Sequence, residues 1–110
     1  MNQRELNTFK RKYFNLGKKR RPNAIIHDPN TCKEHRLIVL GICEWLTERK
    51  FTFYTRVYTN IGEIVDIVAP DLPKPFIEVR HSELDKKKQY SEEYDHLRTF
   101  VDTTDPYKLL

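Results

Sequence analysis

Apolar positions along the chain follow two different spacings, and each change of spacing marks an element. Leu37, Ile38, Gly41 and Trp45 recur at helical intervals, with Leu40, Ile42, Cys43 and Leu46 widening the stripe. Thr31-Cys32-Lys33-Glu34 has the form of a capping box, with Asn30 as a competing cap and Pro29 just upstream, and Arg49 and Lys50 close the last turn. A helix is expected from about residue 32 to residue 49, its inward face buried.

Beyond it, FTFYTRVYT and EIVDIVA are rich in β-branched and aromatic residues and are joined by Asn60-Ile61-Gly62, which predicts a hairpin. Strand alternation in the second segment puts Ile64, Asp66 and Val68 on one face and Glu63, Val65 and Ile67 on the other. A loop punctuated by Pro70, Pro73 and Pro75 leads into a third strand, Phe76 to His81. Ser82 with Asp85 resembles another cap, opening a charged helix SELDKKKQYSEEYD whose packing handles are Leu84, Tyr90 and Tyr94. Leu97 to Val101 makes a last strand. The order helix-strand-strand-strand-helix-strand predicts an α/β fold, a mixed β-sheet flanked by helices, with the last two strands parallel across their helical connection. Gly17 and Pro22 divide a basic N-terminal arm, residues 1–22, from a single domain over residues 23–110.

Composition narrows the class. At 110 residues the chain can bury one modest core. No apolar run approaches membrane-spanning length, and MNQRELNTFKRKYF has no apolar stretch after its charges, so a cytoplasmic protein without a signal peptide or a membrane partner is expected. Cys32 and Cys43, on one helix, stand roughly 16 Å apart at 1.5 Å per residue, beyond disulfide reach. They read as reduced thiols, and two cysteines do not make a structural zinc pattern.

Charge is unevenly placed. Residues 1–21 hold eight Lys or Arg against the single acid Glu5, while the whole chain carries only +4. The remainder is therefore net acidic. Lys10, Arg11, Lys12, Lys18, Lys19, Arg20 and Arg21 suit the attraction of phosphate, with Tyr13 and Phe14 interleaved as stacking surfaces, and Lys87 adds a cation from the second helix. The competing reading is a solvated, frayed terminus.

Candidate chemistry lies in the strands. In Phe76-Ile77-Glu78-Val79-Arg80 a carboxylate stands in an apolar run, a costly position unless it is paired, hydrogen-bonded or bound to a metal. Glu78 and Arg80, two apart, share a face. Asp66 is likewise set between apolar neighbours, and Glu34 falls on the helical stripe, although it also occupies the third position of the capping box. Salt-bridge partnership is the plain alternative for all of these acids. His27, His35 and His81 are single histidines without ligand spacing and are left out of the site.

This order of helix Glu, strand Asp and, about a dozen residues on, strand Glu-x-base resembles the PD-(D/E)XK nuclease superfamily, of restriction-endonuclease-like fold, from about residue 31 to residue 102. The resemblance implies a DNA endonuclease in which Asp66, Glu78 and the backbone carbonyl of Val79 hold Mg2+ or Mn2+, with Glu34 as an auxiliary ligand or water positioner. Arg80 stands where the family has Lys. An Arg stays protonated, so it donates hydrogen bonds and positive charge rather than accepting a proton. Gln89 and Tyr90 resemble the Gln and Tyr of exonuclease-type members, although Tyr94 comes one residue late for that motif. Small size and a basic arm are compatible with the Holliday-junction resolvases of the superfamily, which would imply structure-selective cleavage and a homodimer. Two other readings stand beside it: a nuclease-fold nucleic-acid-binding protein without catalysis, favoured by Arg80, and a small viral or plasmid protein-interaction domain.

Overall fold

Strands β1 (Tyr54–Tyr58), β2 (Ile64–Val68), β3 (Phe76–Val79) and β4 (Arg98–Val101) form one sheet in the order β1-β2-β3-β4. The computed structural model describes residues 1–14, 20–81 and 88–102. β2 runs antiparallel to both β1 and β3, while β4 lies parallel to β3, so the expected α/β class and mixed sheet are present. Helix α1 (Gln3–Tyr13) and helix α2 (Lys33–Glu48) precede the strands, and a 3-10 helix, Glu92–Leu97, precedes β4. Helix α1 is an element that the expected order did not contain. No helix among the described residues is long and apolar enough to cross a membrane.

Both faces of the sheet are covered, which is why all four residues of β3 are buried. On one face Ile38, Val39, Ile42, Trp45 and Leu46 of α2 pack on Ile67, Ile77, Val79 and Val101. The other face carries Phe14, Tyr54, Val57, Val65, Val68, Phe76 and Tyr94, with Phe9 and Tyr13 of α1 against them. Phe76 is the hub of that layer. Its ring lies 5.4 Å from Phe14, 5.9 Å from Tyr13 and 5.5 Å from Tyr94, within the range where aromatic pairs attract.

The basic segment is therefore not a free arm over its described part. α1 starts at the Asn2 side chain, which accepts from the Glu5 N–H at 2.8 Å. At its other end Asn60, in the hairpin turn, donates its Nδ2 to the carbonyls of Arg11 and Lys12 and its backbone N–H to that of Tyr13. Phe14 then pairs with Thr59 in an isolated bridge. Basic spacing was visible in the sequence, and Tyr13 and Phe14, between the cations, pack on Phe76.

α2 begins one residue later than the capping box implies. Cys32 is the cap, its Sγ accepting from the His35 N–H at 3.4 Å, while the Thr31 hydroxyl donates to the Asp28 carbonyl. Its C-terminus is a Schellman motif, with Phe51 N–H on the Leu46 carbonyl and Lys50 N–H on that of Thr47. Phe51 stacks on Trp45 at 6.3 Å, the apolar contact that accompanies the motif. Lys50 holds the left-handed position, at φ 61°, where glycine is usual.

The helix expected from Ser82 lies partly outside the described residues. Lys88 to Ser91 have no regular structure, and only a 3-10 turn follows. Tertiary bonds compete with the helix here: the Ser91 N–H donates to Glu63 Oε1 at 2.7 Å, and Arg98 donates to the Ser91 carbonyl. Those bonds tie the segment to β2 and β4 instead of to its own next turn.

Two substitutions probe these elements. A left-handed non-glycine residue costs roughly 1–2 kcal/mol and glycine returns about half of that through unfolded-chain freedom, so Lys50→Gly should raise unfolding free energy by about 0.5–1 kcal/mol in a urea titration. Phe76→Ala, emptying the hub of the aromatic layer, should lower it by about 3–5 kcal/mol.

Candidate functional site

β2 and β3 pair only at Ile67 with Ile77 and at Val68 with Phe76. Where the ladder ends, buried backbone donors need other partners. Two carboxylates supply them: the Asp66 N–H donates to Glu78 Oε1 at 3.0 Å, and the Val79 N–H donates to Asp66 Oδ2 at 2.8 Å. Each acid thus bonds the backbone of the other's strand, and the pair that the resemblance singles out meets at one crossing.

Asp66 also faces α2. Its Oδ1 lies 3.2 Å from His35 Nε2, with the two side chains 17% and 6% exposed. The alternation expected through β2 fails at this point. Val65 and Val68 pack on the α1 side, whereas Ile67 and Ala69 pack on the α2 side. β1 shows the same slip, since Tyr54 and Val57, three apart, share the α1 side. Between the registered pairs Thr55 with Ile67 and Val57 with Val65 stand Arg56 and Asp66, and Arg56 has a φ of 48°. A residue of this size in the left-handed region costs of order 1–3 kcal/mol and is found where surrounding structure holds it.

Glu78 is fully buried and bound on its other side. Its Oε2 accepts from Arg98 Nη1 at 3.2 Å, while Arg98 Nη2 donates to Glu63 Oε2. Glu63, set by strand alternation on the face opposite Asp66, is the outer partner of this network, and its Oε1 accepts from Ser91. The Tyr90 ring lies 5.0 Å from the Arg98 guanidinium. Burial, and next the Asp66 charge, push the Glu78 carboxyl up to about 8, against the pull of the Asp66 N–H, Lys88 and Arg98.

A cavity of about 400 Å³ opens beside Asp66. α2 contributes His35, Arg36 and Val39; the strands contribute Arg56, Ile64, Asp66 and Val79; the loop before α2 contributes Ile26, His27, Asp28, Asn30 and Thr31; Lys88 and Tyr90 complete it. Of the sequence-derived site, Asp66 and Val79 line this space. Glu78 sits behind it. Arg80 stacks over Phe100, its Cζ 4.9 Å from the ring centroid, and Arg98, rather than Arg80, is the arginine bonded to Glu78. Glu34 is exposed and does not line the cavity, because the buried stripe of α2 runs through His35, Ile38, Val39 and Ile42 rather than through Glu34 and Leu37. Its carboxyl is lowered chiefly by its own backbone N–H at the helix start.

The cations divide similarly. Arg11 and Lys12 are exposed on α1, Lys10 lies over the Tyr54 ring at 5.0 Å, and Arg21 is exposed. Arg20 donates to the Arg56 carbonyl at 3.0 Å. Lys18, Lys19 and Lys87 lie outside the described residues. Cys43 is inert, since burial raises its thiol to about 12.

Sequence reading missed His35, Arg56 and Arg98. For His35 a signal existed, three residues before Ile38 on the apolar stripe. For Arg98, isolated at the head of a short strand, there was none. Comparison with family models, curated proteins and solved structures returns no match.

The raised Glu78 carboxyl gives a signed expectation. Between about 4.5 and about 8 the folded chain binds a proton that the unfolded chain has released, so this group's stabilisation is complete below 4.5 and is lost as pH rises through about 8. Urea stability of the wild type relative to Glu78→Gln should therefore fall across that window. Arg98→Met, which takes the guanidinium from both Glu63 and Glu78, should cost about 3–5 kcal/mol above about pH 8, where Glu78 is ionised.

Proposed function

We propose that this chain is a metal-dependent DNA endonuclease on a restriction-endonuclease-like core, with Asp66 at its centre. The observation that carries the reading is the crossing of β2 and β3, where Asp66 and Glu78 each hold the other strand's backbone beside a cavity bearing Arg36, Arg56 and Lys88. Acids converging where a ladder parts, next to cationic walls, suit a phosphodiester and the cation that accompanies it.

Donor chemistry supports Mg2+ or Mn2+. A carboxylate offers about four acceptor sites. Asp66 uses two of them, on His35 and on the Val79 N–H, and is partly exposed, so it retains capacity for a hard cation. Glu78, whose oxygens accept from the Asp66 N–H and from Arg98, would be the second carboxylate to hold the cation. When bound, the metal supplies charge stabilisation at phosphorus and a deprotonated water. The protein's own groups do the positioning. His35 fixes the Asp66 carboxylate from α2, and the cavity cations neutralise the backbone of the strand. Arg80, stacked on Phe100, adds positive charge without taking a proton.

One observation favours a second reading. Glu78 and Arg98 already satisfy each other in a fully buried pair, which suits a nucleic-acid-binding domain of the same fold that does not cleave.

Nicking of branched, single-stranded and duplex DNA, titrated with Mg2+ and with Mn2+, separates the two. The nuclease reading expects metal-dependent cleavage that Asp66→Asn abolishes with DNA affinity retained; binding without cleavage at any metal concentration selects the second reading. In either case the triple change Arg4→Gln, Arg11→Gln, Lys12→Gln on the exposed side of α1 should weaken binding to all duplexes and reduce the slope of log K on log salt by roughly 0.9 for each phosphate no longer neutralised. An unchanged slope would leave α1 out of the DNA-binding surface.

A further inference from the structure

Arg56 is out of keeping with its place in β1. Its backbone is left-handed in the middle of a strand, and the flanking registered pairs set it level with Asp66 across the ladder. The side chain lines the cavity and is half-buried, with its Nε shielded from solvent and without a hydrogen-bond partner among the described residues. Among the described residues its guanidinium forms no ion pair. A second guanidinium is held at the same point, because Arg20 donates its Nη2 to the Arg56 carbonyl. Burial, and then the Arg56 charge, lower the Arg20 pKa, so the two cations oppose each other.

Nearby acids do not answer this charge. Asp66 bonds His35 and the Val79 N–H, and among the described residues it forms no ion pair with Arg56. Asp28 Oδ1 accepts from the Asn30 N–H within its own turn. A half-buried guanidinium without a carboxylate, backed by another, is unfavourable alone and is relieved by an anion. The planar fork of Arg matches the oxygens of a phosphate, and a cavity of about 400 Å³ is of the size that receives a nucleotide.

We propose that Arg56, backed by Arg20, is the phosphate-binding residue of the Asp66 cavity, gripping one backbone phosphate of a nucleic-acid strand and so setting that strand's register on Asp66. The strand as the source of the phosphate rests on the function proposed above; the phosphate site itself rests on Arg56 alone. The backbone twist is what delivers the guanidinium to the cavity: without it the side chain would follow the regular alternation of β1.

The test uses the full chain without divalent metal, so that binding is read apart from cleavage. Inorganic phosphate, a nucleoside monophosphate and a short single-stranded DNA are titrated while the amide resonances of Ile64 and Val79 are followed. Wild type should shift with all three and bind the oligonucleotide most tightly. Arg56→Met should lose at least about tenfold in affinity, the discrimination expected of a bidentate pair, and the salt slope on the single strand should fall by roughly 0.7. Arg56→Asn, which tolerates the left-handed backbone, serves as a second variant and should lose as much; Arg56→Lys should recover part. Unchanged affinity in Arg56→Met or Arg56→Asn overturns the assignment, and equal affinity for phosphate and oligonucleotide overturns the strand as its source. Loss of phosphate binding in a protein that never cleaves DNA removes the nuclease reading and leaves this site standing. Cleavage with an unaltered KM in Arg56→Met does the reverse.

Discussion

A carboxylate with no exposure at the centre of a sheet is the constraint around which this protein is arranged. Glu78 cannot be left bare in an apolar layer, and its two oxygens reach in opposite directions, one to the Asp66 backbone and one to Arg98. The first bond closes the gap where β2 and β3 part. The second draws β4 and, through Glu63 and Ser91, the segment before it onto the same point. The network therefore joins strands that are distant in sequence, from residue 63 to residue 98, and it explains why the connection into β4 ends as a 3-10 turn rather than a continued helix.

Because β3 is buried on both sides, the sheet needs two covers, and a chain this short has few elements with which to make them. α2 supplies one through a broad apolar stripe. The other is assembled from α1, Phe14 and Tyr94 around Phe76, mostly from aromatic rings. Using the basic N-terminal segment as that cover has a consequence for charge: Arg11 and Lys12 are held on a fixed surface rather than on a loose tail, while Lys10 is turned onto Tyr54. The cations of the cavity come from other elements, so positive charge lies both on the outer helix and beside Asp66.

The crossing at Asp66 also shows how a site can be built from a departure in regular structure. Regular pairing would have used the Asp66 and Val79 amides in the ladder. The kink at Arg56 and Asp66 takes them out of it, side-chain carboxylates replace the missing partners, and the space so opened becomes the cavity wall. His35 then steadies Asp66 from α2, and the left-handed Arg56 brings a cation to the same level. The strain at Arg56 and the burial of Glu78 are local costs, offset by the cores on either side.

Local pattern by itself determined the elements with strong periodicity. The stripe from Leu37 to Leu46, the β-branched runs around Val57 and Val65 and the apolar run at Ile77 are each readable from neighbours in sequence, because burial of one face or of both imposes those spacings. The same reasoning found Asp66 and Glu78, since acids in apolar strands are conspicuous. What only the tertiary structure decided was where those acids point and what they touch. The buried face of α2 runs through His35 and Ile38 rather than through Glu34 and Leu37, and the alternation of β2 breaks between Val65 and Ile67, opposite Arg56. Arg98 rather than Arg80 became the partner of Glu78 because parallel pairing of β4 with β3 brings it there. Periodicity marks which segments are buried, but helix phase, which leaves Leu37 and Leu40 exposed, and strand register, which sets the partner of a buried charge, are decided by tertiary packing.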